Sequence, residues 1–157
     1  MRFSIDVDMV RWLRGSNENR RRIIETRKIS SYAIALNIER EAKSNIDNLG
    51  INDTRELRNN IFAIPTSIGA TVLVNAPHAW FVEYGTGVHN TLGSGRKTPW
   101  VYRHRDGSFV TTPGRKATPF FNYAVEKTKL LSSSILRGAF ESTRFSVGGR
   151  TYSYNIN

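Results

Sequence analysis

Side chains able to do acid–base or metal chemistry are sparse in this chain. It holds three histidines, His78, His89 and His104, and no cysteine. Zinc hydrolases place histidine pairs at helical spacing beside a carboxylate. His78 and Glu83 lie five apart on what reads as a short helix, so they share a face poorly. The histidines therefore read as surface or capping groups. The lack of cysteine excludes disulfides, thiolate nucleophiles and Cys-ligated metals, and it fits synthesis in a reducing cytoplasm. No Gly-x-Ser-x-Gly elbow is present. Gly85-Thr86-Gly87 and Gly93-Ser94-Gly95-Arg96-Lys97 are glycine-rich, but the Gly-x-x-x-x-Gly-Lys-Ser/Thr phosphate loop is missing. They read as turn residues. The expectation is no catalytic residue, no cofactor and no metal.

Charge is the stronger signal. Lys and Arg total 23 against 13 Asp and Glu, a net of +10. That balance points to an anionic partner: nucleic acid, a membrane surface or an acidic protein face. Residues 1–60 carry 12 Lys/Arg and 9 acids, whereas residues 61–157 carry 11 and 4. Within residues 86–118, Arg96, Lys97, Arg103, Arg105, Arg115 and Lys116 face Asp106 alone, with Trp100, Tyr102 and Phe109 interleaved. Basic residues among aromatics grip single-stranded nucleic acid. They equally form a solvated hairpin whose aromatics serve the core or an interface. A cytoplasmic nucleic-acid-binding protein using the basic 96–116 region is thus one reading of the chain.

The elements that would position these residues follow from periodicity. The 157 residues suit one domain over 1–142, followed by a β arm or hairpin over 143–157. No apolar run reaches the ~18 residues of a spanning helix, so no membrane role is expected. The N-terminus has no signal-peptide pattern. Phe3, Ile5 and Val7 alternate with polar residues, which predicts a strand over 1–8. Gly15-Ser16-Asn17 reads as a break. A long helix then follows over 18–48. Its stripe is Ala35, Ile38, Ala42, Ile46 and Leu49, extended backwards by Ile24 and Ser31, and Gly50 stops it. Residues 54–64 and 70–75 read as strands, the second a central one.

Pro77 to Gly85 reads as a two-turn helix capped by Asn75 or Ala76, with Pro77 at its first position. Asp106-Gly107 marks a hairpin between 99–104 and 108–112. Thr118-Pro119 reads as the cap and first turn of a helix over 119–140, with Phe120, Ala124, Leu131, Ile135 and Ala139 on one face. Phe145, Tyr152 and Tyr154 fall in the terminal hairpin or arm. The class is α+β: a mainly antiparallel sheet, one long N-terminal helix, a second C-terminal helix, and a short helix and hairpin between them.

Three segments, in order, resemble a known family. Asp53-Thr54-Arg55-Glu56-Leu57-Arg58-Asn59-Asn60-Ile61 resembles its D-T-G-x-L-R-x-S-I segment. Ala79-Trp80-Phe81-Val82-Glu83-Tyr84-Gly85-Thr86 resembles its Y-A-x-x-V-E-x-G-T helix. Gly114 to Ala124 resembles its P-F-h-x-P-A helix start. The family is the head–tail joining, neck or tail-completion proteins of long-tailed bacteriophages, of the minor tail component type. The resemblance spans roughly residues 20–140. Arg55 stands where the pattern has glycine, Asn60 where it has serine and Tyr123 where it has proline.

The resemblance implies a structural virion protein of the neck, made in the host bacterial cytoplasm. It implies a homo-oligomer, a sixfold ring by location. The neighbours would be the connector or head-closure protein and the tail terminator or tail tube, with DNA passing through the channel. The contact residues expected on this reading are Trp80, Phe81, Glu83, Tyr84, Trp100, Tyr102, Arg103, Arg105, Phe145, Tyr152 and Tyr154.

Overall fold

The computed structural model describes residues 9–51, 55–141, 145–147 and 150–152. The strand expected over residues 1–8, the motif residues Asp53 and Thr54, and Tyr154 lie outside them. The architecture is α+β, as the patterning predicts. In chain order it comprises α1 (Met9–Asn48), α2 (Glu56–Asn59), β1 (Ile61–Pro65), β2 (Ala70–Val74) and α3 (Ala79–Tyr84). After these come β3 (Trp100–Arg103), β4 (Phe109–Thr112), α4 (Phe120–Glu141), β5 (Phe145–Val147) and β6 (Arg150–Tyr152). The strands form three two-stranded sheets, β1–β2, β3–β4 and β5–β6.

The chain divides into two compact units. One draws on residues 36–63 and 72–130, the other on residues 1–35, 64–71 and 131–157. The first holds the core: Ala42, Ile46, Leu57, Ile61, Ala76, Val82, Phe120 and Ala124. Ile46, Ile61 and Phe120 are fully enclosed, and burying each such side chain contributes about 1.5–3 kcal/mol. In the second unit, Thr26, Ser30 and Ala35 are buried along α1. Gly69, in the β1–β2 turn, lies close enough to Ser31 that an added Cβ would touch its Oγ at 3.4 Å.

Helix α1 runs straight through Gly15-Ser16-Asn17. One glycine costs about 1 kcal/mol in a helix, too little to interrupt a run with helix formers on both sides. The buried stripe holds at Ala35, Ala42 and Ile46, but Ile24 and Leu49 are exposed. Toward the N-terminus the stripe follows Thr26 and Ser30, and Ser30 Oγ donates to the Thr26 carbonyl at 2.7 Å. Gly50 ends the helix as expected, at φ 64°. Its N–H reaches the Asp47 carbonyl at 3.3 Å, and the Ile51 N–H reaches the Ile46 carbonyl at 3.1 Å. This pair of bonds is a Schellman close.

The strand expected over 54–64 starts only at Ile61. Residues 56–59 form the helical turn α2, entered through Arg55 at φ 56°, ψ 2°. Arg55 is the one non-glycine residue at positive φ among the described residues, a geometry that costs about 1 kcal/mol. β2 has a single partner, so it is an edge strand rather than a central one. Its alternating burial, with Val72 and Val74 half-buried and Thr71 and Leu73 exposed, is the signature of a one-sided sheet.

Glu39 ties α1 to the start of β1. Its Oε1 accepts from Lys43 Nζ at 2.6 Å and its Oε2 from the Ala63 N–H at 2.7 Å. Burial pushes the Glu39 carboxyl up, but the Lys43 and Ala63 hydrogen bonds and the Lys43 charge outweigh it and hold it below its usual value. A lowered carboxyl stabilises the fold above its unfolded value of ~4.3 and loses that contribution as pH falls through the folded value. Urea midpoints followed from about pH 6 to about pH 3 should therefore show the wild type losing more stability than Glu39→Gln, the two converging at the acid end.

Candidate functional site: an aromatic helix clasped to a basic hairpin

Helix α3 is six residues, Ala79–Tyr84, with Val82 and Glu83 buried and Trp80 and Phe81 57% and 55% exposed. It begins after a turn at Pro77-His78, and His78 rather than Asn75 or Ala76 is its cap residue. Its short length leaves two sides. One faces the core through Val82, and the other presents two large aromatic rings. Tyr84 is half-buried, and its ring sits 4.4 Å from the Trp80 ring at 50°. Between α3 and the start of α4 lies an open groove of about 360 Å³, walled by Pro77, Trp80, Tyr84 and Phe121.

Glu83, expected at an interface, is instead turned inward at 7% exposure. Its Oε2 accepts the Phe121 N–H and its Oε1 the Asn122 N–H, both at 2.9 Å. These are orphan donors of the first turn of α4, where the helix dipole also favours an anion. The cap expected from Thr118 is thus supplied by a carboxylate 38 residues away in sequence, while the Thr118 hydroxyl turns to the Lys116 carbonyl at 3.5 Å. The sequence did carry a signal for this. An acid set among the large side chains of Ala-Trp-Phe-Val-Glu-Tyr must find donors elsewhere once it turns inward. Asn45 Nδ2 completes the junction by donating to the Phe120 carbonyl at 2.8 Å.

After α3 the backbone is clasped to residues 113–118. The Thr118 N–H reaches the Val82 carbonyl at 2.8 Å, the Thr86 N–H the Arg115 carbonyl at 2.9 Å, and the Val88 N–H the Pro113 carbonyl at 3.0 Å. Thr86 Oγ1 accepts the Arg115 N–H at 2.8 Å. Gly85 exits the helix at φ 74°, ψ 176°. Gly114 is more constrained, because a Cβ there would stand 2.1 Å from the Thr86 carbonyl oxygen.

The clasp holds the β3–β4 hairpin, paired Trp100↔Thr112, Val101↔Thr111, Tyr102↔Val110 and Arg103↔Phe109. Its tip is closed by the His104 N–H on the Ser108 carbonyl at 2.7 Å. Asp106 accepts from the Ser108 hydroxyl and N–H, which hold its carboxyl below the usual value. Val101, Tyr102 and Phe109 are exposed, Phe109 at 76%. The Arg96 guanidinium lies 5.8 Å from the Trp100 ring centre.

Of the expected contact residues, Trp80, Phe81, Tyr84, Trp100, Tyr102, Arg103 and Arg105 fall in this unit, on α3 and the hairpin. Phe145 and Tyr152 are register partners in the β5–β6 hairpin. Among the described residues, no three His, Asp or Glu side chains are grouped to hold a metal. No described helix is long and apolar enough to cross a membrane. No family model, curated protein or solved structure matches the chain.

Two substitutions isolate the clasp. Gly93 and Gly114 both have positive φ, but a Cβ meets nothing within 4 Å at Gly93. Gly93→Ala should cost about 1 kcal/mol, and Gly114→Ala should leave little folded protein, read from thermal melts by circular dichroism. Glu83→Ala strands two amide donors and should cost about 3 kcal/mol, with Glu83→Gln costing less because one oxygen acceptor is kept.

Proposed function

We propose that this chain is a structural subunit of a tailed-bacteriophage neck, joining the head connector to the tail as part of a ring. The observation that carries the reading is the convergence of the three segments that resemble the family. Leu57 and Ile61 come from the first, Val82 from the second, and Phe120 and Ala124 from the third, and all five lie in one core cluster. Two further details agree with it. The acid of the second segment caps the helix of the third. The position at which the family pattern has glycine takes φ 56°, the region glycine favours.

On this reading the chain works by fit. The exposed rings of Trp80 and Phe81 and the apolar residues of the β3–β4 hairpin supply contact area with neighbouring copies or neck proteins, and the basic excess orients the encounter. Ring subunits join head to tail, so each presents two different patches.

Native mass of the purified protein, alone and after mixing with connector and tail proteins of the same phage, tests the proposal. The expected result is a closed oligomer, or one that forms on mixing. A single-chain species in both conditions would overturn it. Trp80→Ala with Phe81→Ala should keep the melting temperature within a few degrees, since both side chains are exposed, and abolish the oligomer. Deleting residues 143–157 should spare the fold and reduce assembly.

A further inference from the structure

Several of the described carboxylates are committed internally. Glu18 pairs with Arg22, Glu39 with Lys43, Glu41 with Lys127, Asp47 with Arg58 and Glu126 with Lys129. Glu83 is used by the α4 backbone. No described carboxylate lies within ion-pair distance of Arg96, Lys97, Arg103, Arg105, Arg115 or Lys116. Two of these, Arg105 from the hairpin tip and Arg115 from the clasp, line a pocket of about 270 Å³ together with Arg55 and His78. Glu56 is the one carboxylate on its wall. Arg55 comes from a stretch of sequence distant from Arg105 and Arg115, and all three are exposed.

We propose that this pocket binds the phosphodiester backbone of nucleic acid. Gathering arginines around one pocket is electrostatically unfavourable until an anion enters, and the guanidinium fork matches phosphate oxygens in a bidentate way. The Arg115 C=O accepts from the Thr86 N–H and its N–H donates to Thr86 Oγ1, so its Cα is fixed relative to the pocket. Arg55 sits in a backbone geometry that favours glycine, which places the side chain there against the local conformational preference. The hairpin that carries Arg105 at its tip also exposes Tyr102 and Phe109, one on each of its faces, rings on which bases can stack. Every base brings a π-face along with its phosphate, whereas a carboxylate side chain brings no ring, so nucleic acid is the partner these residues fit. The proposal goes beyond neck assembly and is independent of it: a single-chain protein that binds DNA would overturn the assembly reading and leave this one intact.

The test is fluorescence anisotropy with labelled single-stranded and duplex oligonucleotides over a salt series, using the full-length protein, Arg55→Gly, Arg105→Gln and, as a charge-matched control, Arg40→Gln. Arg55→Gly relieves the positive φ, so its melting temperature should hold or rise while affinity falls severalfold. Each pocket variant should lower the slope of log affinity against log salt by about one, equally across sequences, and the control should change it less. Tighter binding to the single strand would support stacking by the hairpin rings, and equal binding to both forms would support backbone contact alone. Folded Arg55→Gly and Arg105→Gln proteins that bind as the wild type does would overturn the proposal. So would displacement of the oligonucleotide by a poly-glutamate peptide at matched charge concentration, which would assign the pocket to an acidic protein.

Discussion

A carboxylate shut away from water has to find its donors inside the protein, and in this chain Glu83 finds them at the first turn of α4. The two amide hydrogens it accepts belong to Phe121 and Asn122, donors that no residue within a helix can satisfy. One buried acid therefore settles two problems together, its own desolvation and the open end of a helix. The pairing also fixes geometry. It sets α3 against the start of α4, closes the core over Val82 and Phe120, and brings Thr86 to where it can hold Arg115.

The surface character follows from that junction. With Val82 and Glu83 inward, a six-residue helix must turn Trp80 and Phe81 outward. With residues 113–118 clasped to the segment leaving α3, the hairpin they support is held out from the core, its cations and rings exposed. The aromatics are thus displayed because the polar core contacts use up the other side of the helix. That arrangement suits a protein that works through contact, and it also explains why the glycines at positions 85, 87 and 114 crowd together: backbone passes backbone there with no room for a side chain.

Much of this was readable beforehand where the cause is local. Gly50 after an apolar stripe predicts the end of α1, because only a residue tolerant of positive φ closes that motif cheaply. Asp106-Gly107 predicts the hairpin for the same kind of reason. The readings that needed correction involve competition between local preference and tertiary fit. Gly15-Ser16-Asn17 looks like a break, yet the helix formers on either side prevail. Residues 56–59 have a pattern tolerable in a strand, but Leu57 reaches the core from a helical turn that Arg55 opens. Leu131 matched the spacing of the α4 face, yet Thr128 is the buried residue that follows Ala124. Periodicity alone cannot say how far a partner surface extends.

Taken alone, the amino-acid sequence determined the α+β class, the end of α1 at Gly50, the hairpin at Asp106-Gly107 and the concentration of positive charge after residue 86. Those depend on backbone preference and on counting, which act over a few residues. Tertiary structure decided which acid caps which helix, which aromatics stay outside, and that Arg55, Arg105 and Arg115 share one pocket. Such outcomes depend on which distant segments meet, and a carboxylate or a guanidinium carries no mark of its eventual partner until the chain has brought the two together.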